Sequence, residues 1–258
     1  MTQDRAQDDQ LLAYANELRQ AHEELLHNRA QLDAAHRQLA EHAQQELLLA
    51  QDIRREHEQR MGLWGKLQEA QVGTIRALAT AIEARDSYTG SHVTHVAHYA
   101  LVLGQQMGLE GDDLRWLEVA ALVHDVGKIG IPDGVLNKVG KLDDSEWRLL
   151  QSHAALGAEI LSRAPEMQAT AKAVRSHHER WDGHGYPDGL DGENIPLHAR
   201  IITLADSFDA MTRDRSYQRA RNATDVQNDI DHNRGRQFDP HVVDAFRHCV
   251  GDGRIRMP

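Results

Sequence analysis

Five leucines, Leu11, Leu18, Leu25, Leu32 and Leu39, recur every seven residues, and no glycine or proline interrupts the chain before Gly62. A seven-residue apolar period keeps one seam of a helix facing a partner helix. Residues 1–70 are therefore expected to form a long coiled-coil helix that joins two copies of the chain. The companion positions Tyr14, Ala21, Asn28, Ala35 and His42 are weaker, and a polar residue such as Asn28 fixes register and a two-stranded state at some cost in stability. The phase slips near Leu47-Leu48-Leu49, before Ile53, as a stutter produces. A lone amphipathic helix lying on the rest of the chain is the other arrangement this pattern allows.

From about residue 72 the texture changes to short helical stretches separated by turns containing glycine and proline. Aromatic residues make up only 5% of the chain against 40% hydrophobic overall, so a core must rest on Leu, Ile, Val and Ala. Runs of β-branched residues are few, which predicts an all-α protein. Helices are expected at 73–87, 91–108, 112–125, 144–162, 166–179, 198–211, 223–233 and 239–248. Asp143 followed by Asp144 and Glu146 has the form of a helix N-terminus. The stretch Trp181-Asp182-Gly183-His184-Gly185-Tyr186-Pro187-Asp188-Gly189 cannot continue a helix and is expected to be a structured loop.

A net charge of −11 argues against binding to a nucleic-acid polymer, because a phosphate backbone attracts a basic face. It leaves room for a small phosphorylated ligand, since bound cations reverse the local field. One cysteine, Cys249, excludes an intramolecular disulfide, and a cytoplasmic setting is expected. No apolar run reaches the length of a membrane span or a leader, so a soluble protein without membrane contact is expected.

The chain holds 17 histidines, and their positions matter more than their number. His92, His124-Asp125, His153, His177-His178 and Asp206 each fall on or at the end of an expected helix. His124-Asp125 follows the apolar run 119–123, and Asp206 follows Ile201-Ile202-Thr203-Leu204-Ala205. Such groups are costly to bury unless they are paired or metal-bound. A single buried histidine is commonly satisfied by a backbone carbonyl; five histidines and two aspartates in like settings point to a shared metal centre. On a helix His124 and Asp125 would point about 100° apart, so the two oxygens of Asp125 could bridge to a second cation. Lys128 would share their face and could neutralise a phosphate oxygen or protonate a leaving alkoxide.

The segment His124-Asp125-Val126-Gly127-Lys128-Ile129-Gly130-Ile131-Pro132-Asp133, followed by His177-His178-Glu179-Arg180-Trp181-Asp182-Gly183-His184-Gly185-Tyr186-Pro187, resembles the HD-GYP subfamily of HD-domain phosphohydrolases. Residues 83–92, Arg200–Ala210 and Phe238-Asp239-Pro240 extend the resemblance over about 72–248. It implies a helical HD core in residues 71–258 and hydrolysis of cyclic di-GMP to linear pGpG or GMP. It also implies two or three metal ions, often iron or manganese. Carried over by motif, His92, His124, Asp125 and Asp206 would hold one metal; Asp125 would bridge to a second held by His153, His177 and His178. Lys128 would stand beside the site, and Tyr186 with Arg215 would contact the dinucleotide; the loop around Tyr186 could also buttress the metal-bearing helix, the ligand contact being the favoured role.

Some members carry a glutamate that binds a third metal where this chain has Tyr88, so two divalent ions are expected here. Gln218 replaces a basic residue, which predicts weaker substrate binding; Ser216 and Val139 replace prolines. The alternatives are a phosphodiesterase for another cyclic nucleotide, such as cyclic GMP-AMP, or a slow cyclic di-GMP receptor signalling through its coiled coil. A diguanylate cyclase or an upstream sensor is the class of protein partner expected.

Overall fold

The structure, a computed structural model, describes residues 2–85, 91–213 and 221–258, with side chains from residue 11 onward. Tyr88, Arg215, Ser216 and Gln218 lie outside the described residues. The described chain is helical, and its sole β feature is an isolated bridge between Arg234 and Phe238. It divides into two compact units, residues 1–68 and 69–258.

Helix α1 runs without a break over Thr2–Glu83, so the boundary expected near residue 70 is not a break in secondary structure. Gly62, Gly65 and Gly73 all sit within the helix, with open space where a Cβ would be. In the first unit Leu11, Leu18, Leu25, Leu32 and Leu39 are all exposed on the single chain.

The second unit begins with the last turns of α1, where Val72, Ile75 and Ala79 pack against the core. It continues with α2 (His92–Gln106), α3 (Gly111–Val123), a 3-10 turn (Val126–Gly130), the short α4 (Asp133–Leu136) and α5 (Asp144–Ser162). Then follow α6 (Gln168–Ser176), α7 (Leu197–Thr212), α8 (Ala223–His232) and α9 (Pro240–Gly251). A capping box closes the start of α5, with Asp143 accepting from the amides of Ser145 and Glu146 and the Glu146 side chain accepting from the amide of Asp143. The fully buried residues are mainly small or aliphatic: Val96, Ala100 and Leu103 of α2, Leu117, Ala120 and Ala121 of α3, and Ile201, Ile202 and Leu204 of α7. Phe208 and Phe246 fill the space towards α9.

Two expected helices end early. Helix α3 stops at Val123 and α6 at Ser176, so His124-Asp125 and His177-His178 lie just past helix C-termini rather than within helices. Lys128 consequently belongs to a 3-10 turn and not to the helical face assumed from its spacing. That turn lies directly against α5. A Cβ on Gly127 would stand 1.9 Å from the carbonyl oxygen of His153, so only glycine lets the two backbones approach this closely.

Candidate metal centre

The C-terminal ends of α3 and α6 converge with the start of α2 and the middles of α5 and α7, and each delivers one or two polar side chains into otherwise apolar packing. Three of the imidazoles are held in one way. Nδ1 of His124 donates to the Ala121 carbonyl at 2.8 Å, Nδ1 of His153 to Leu150 at 2.7 Å, and Nδ1 of His177 to Val174 at 2.6 Å. A carbonyl can only accept, so Nδ1 carries the proton in each ring and Nε2 presents a lone pair. This is the orientation that a metal-binding imidazole takes from its outer partners.

The lone pairs meet. Nε2 of His153 lies 3.4 Å from Nε2 of His177, and Oδ1 of Asp125 lies 3.3 Å from the first and 4.0 Å from the second. The other carboxylate oxygen, Oδ2, lies 3.3 Å from Nε2 of His124 and 2.9 Å from Nζ of Lys128. Nε2 of His124 is buried and lacks hydrogen-bond geometry to any group. Acceptors crowded this closely repel unless a cation lies among them, so the donor set fits a metal. One ligand atom from each of Asp125, His153, His177 and His178 falls within 4.8 Å of the others, and the same holds for His92, His124 and Asp125.

His92, the first residue of α2, is held from three sides. Its backbone amide donates to Oε1 of Glu83 at 2.8 Å, its Nδ1 pairs with Oδ2 of Asp209 at 2.7 Å, and its Nε2 lies 3.3 Å from Oδ1 of Asp206. The structure thus brings His92, His124, Asp125, His153, His177, His178 and Asp206 to one place, with Asp125 between the two sets. Lys128 stands beside it. Tyr186 stacks on His178, with ring centres 4.8 Å apart and planes inclined by 28°, which is the buttressing position.

Electrostatics divides the two halves. Burial pushes the imidazole of His92 down, but the hydrogen bonds and charges of Asp206 and Asp209 outweigh it and lift its pKa to about 10. His124 is raised likewise, with burial opposed by the charge of Asp125. Around His177 and His178 no such excess of carboxylate exists. Burial and the neighbouring imidazoles hold His177 well below its usual value and bring His178 down to about 4. Burial would raise Asp125 and Asp206, yet Lys128 with His124, and His92, respectively, keep both ionised. The carboxylates of the first half therefore favour positive charge there, as a bound cation would supply, while His177 and His178 are neutral and ready to ligate.

The loop around Tyr186 is built on Glu179, whose buried carboxylate accepts from the amides of Asp188 at 2.7 Å and Leu190 at 3.2 Å. Arg175 pairs with both oxygens of Asp188. A Cβ on Gly185 would stand 2.4 Å from the amide nitrogen of Arg180 and from Cα of Glu179, so the loop folds back tightly onto the His177-His178 segment. Glu83, Glu179 and Asp209 were not singled out in the sequence. Only Asp209 carried a signal: it lies three residues after Asp206, on the same face of α7.

Residues 76–242 match the family described as HD domain. The cyclic di-GMP phosphodiesterase response regulator RpfG of Xanthomonas campestris pv. campestris is 43% identical over 183 residues, covering 70% of this chain and 48% of the relative. The 3'3'-cGAMP-specific phosphodiesterase 2 of Vibrio cholerae is 40% identical over 182 residues, covering 70% of this chain and 35% of the relative. This chain thus spans less than half the length of either. A crystal structure of a cyclic GMP-AMP specific phosphodiesterase from Vibrio cholerae superposes with a TM-score of 0.53 at 22% identity, covering 70% of this chain and 49% of that one, and shares the fold. The chain belongs to the HD-domain family, in its HD-GYP branch.

Proposed function

We propose that this chain hydrolyses cyclic di-GMP at a centre holding two divalent cations, iron or manganese. The observation that carries the reading is the cluster of bare Nε2 atoms around Asp125, above all the 3.4 Å approach of His153 and His177. His92, His124 and Asp206 would hold one ion, His153, His177 and His178 the other, and Asp125 would share its two oxygens between them. Mixed imidazole and carboxylate donors suit such metals. When bound, two such ions supply Lewis acidity to phosphoryl oxygens and a water acidic enough to be a nucleophile near neutral pH.

The residues themselves account for the rest. Lys128 places a positive charge 2.9 Å from Asp125, where it can stabilise the charge that develops on a phosphoryl oxygen or pass a proton to the departing 3'-alkoxide. In the balanced step the oxygen of water joins phosphorus, the bond from phosphorus to the ribose 3'-oxygen breaks, and that oxygen leaves as a hydroxyl. Linear pGpG is the first product, and a second step of the same kind gives GMP. Tyr186 keeps His178 in place, and Arg215 contacts the dinucleotide.

Residues 1–70 act as the coiled-coil dimer helix and 71–258 as the catalytic domain. Among the described residues no helix is long and apolar enough to cross a membrane, and a cytoplasmic setting is proposed, with a diguanylate cyclase or an upstream sensor as partner. The second reading, hydrolysis of 3',3'-cyclic GMP-AMP, is favoured by the relative named for that substrate at 40% identity. Parallel turnover of the two dinucleotides by the manganese-loaded protein decides between them. The proposal expects the higher kcat/KM for cyclic di-GMP; preference for cyclic GMP-AMP would transfer the assignment.

A further inference from the structure

Asp209 is one of the most deeply buried carboxylates in the described chain, 1% exposed, yet it is not a member of the ligand set. Its Oδ2 lies 2.7 Å from Nδ1 of His92, and its Oδ1 accepts from Nε of Arg213 at 2.6 Å. His95 is the next nearest imidazole, 3.8 Å away. His92 differs in this from the other histidines of the centre. His124, His153 and His177 are each oriented by a carbonyl of their own helix three residues earlier. His92 is the first residue of α2, and its Nδ1 pairs instead with a carboxylate that, among the described residues, comes from α7.

We infer that Asp209 is the positioning residue for His92, fixing by its hydrogen bond to Nδ1 the tautomer and the ring plane that turn Nε2 towards Asp206. Arg213 holds the second carboxylate oxygen and so locks the Asp209 side chain in the orientation His92 needs. The spacing on α7 makes this possible: Asp206, Asp209 and Arg213 follow at intervals of three and four residues, on one helical face. One helix therefore supplies both the carboxylate that faces the ion and the carboxylate that aims the imidazole beside it.

The inference rests on the two-cation reading, and its test separates the two. Metal-free full-length protein, prepared with a chelator under argon, is titrated with Mn2+, and bound ions are counted after desalting. Wild type should take up two ions per chain. Asp209→Asn, which keeps the shape and can still accept a hydrogen bond but loses the charge, should weaken one of the two binding steps by 10–100-fold, as loss of an outer partner does, and leave the other unchanged. Asp209→Ser, too short to reach the ring, should lose that ion altogether; it serves if the asparagine variant fails to fold. A structural role alone would lower thermal stability and leave both Mn2+ steps intact. Two unweakened steps in either folded variant overturn the inference, whereas a wild type that binds no Mn2+ overturns the metal reading beneath it.

Discussion

Asp125 separates its two oxygens chemically. Oδ1 faces His153 and His177, and Oδ2 faces His124 and Lys128. A side chain shared in this way should fail in both directions at once, so Asp125→Ala is expected to lose metal as well as activity, checked by metal analysis of the purified variant. A variant that kept two ions per chain would remove the bridging role. Gly127 tests the neighbouring lysine. An alanine there must push the 3-10 turn away from α5, because its Cβ would fall on the backbone of His153. Gly127→Ala should cost about 1–3 kcal/mol of stability, seen as a fall in denaturation midpoint, together with a lowered kcat as Lys128 and His153 move apart. The seven proposed ligands were all legible in the sequence, because charged and imidazole groups beside apolar runs stand out against the expense of burial. Glu83 was not, because a residue that orients a ligand has no spacing rule of its own, and Asp209 offered only its three-residue offset from Asp206. The familiar habit of a buried histidine, bonding a backbone carbonyl, was read as competing with ligation. In the structure the two are compatible, since the carbonyl bond spends Nδ1 and leaves Nε2 turned into the cluster.

Among the elements, the centre is built at helix ends. Stopping α3 at Val123 and α6 at Ser176 frees the following residues to turn inwards, where a continued helix would carry Asp125 and His178 away round its axis. No clear stop marks either place: the next glycine after Val123 is Gly127, and after Ser176 it is Gly183. Both helices were therefore read too long. Helix α1 shows the converse: it absorbs Gly62, Gly65 and Gly73 at about 1 kcal/mol each. The Tyr186 loop depends on a more distant element. Asp239 at the start of α9 pairs at 2.6 Å with Arg200, whose guanidinium lies 5.7 Å from the centre of the Trp181 ring. Arg200 is only 15% exposed in its side chain, so Asp239→Ala leaves a largely buried cation unpaired. That should destabilise by about 3–5 kcal/mol, measured by chemical denaturation, whereas the isolated loss of a helix cap would cost only about 1 kcal/mol.

At the scale of the whole chain, the two compact units carry different tasks in this account. The exposed leucines of residues 11–39 are the proposed seam for a second copy, and the histidine–aspartate cluster lies wholly within residues 69–258. Protein beginning at residue 69 should be monomeric by light scattering and should still bind its metal; a dimer surviving the truncation would move the interface into the catalytic unit. The central claim is that the histidine–aspartate cluster is a metal-dependent phosphodiesterase centre. The most direct measurement is anaerobic purification with metal counting, followed by incubation with cyclic di-GMP and chromatography of the products, for wild type and His177→Ala side by side. The account predicts two ions per chain and linear pGpG or GMP from wild type, with product formation lost in the variant. Wild type that holds two ions and leaves cyclic di-GMP intact, or a His177→Ala variant that turns it over at the wild-type rate, would contradict it.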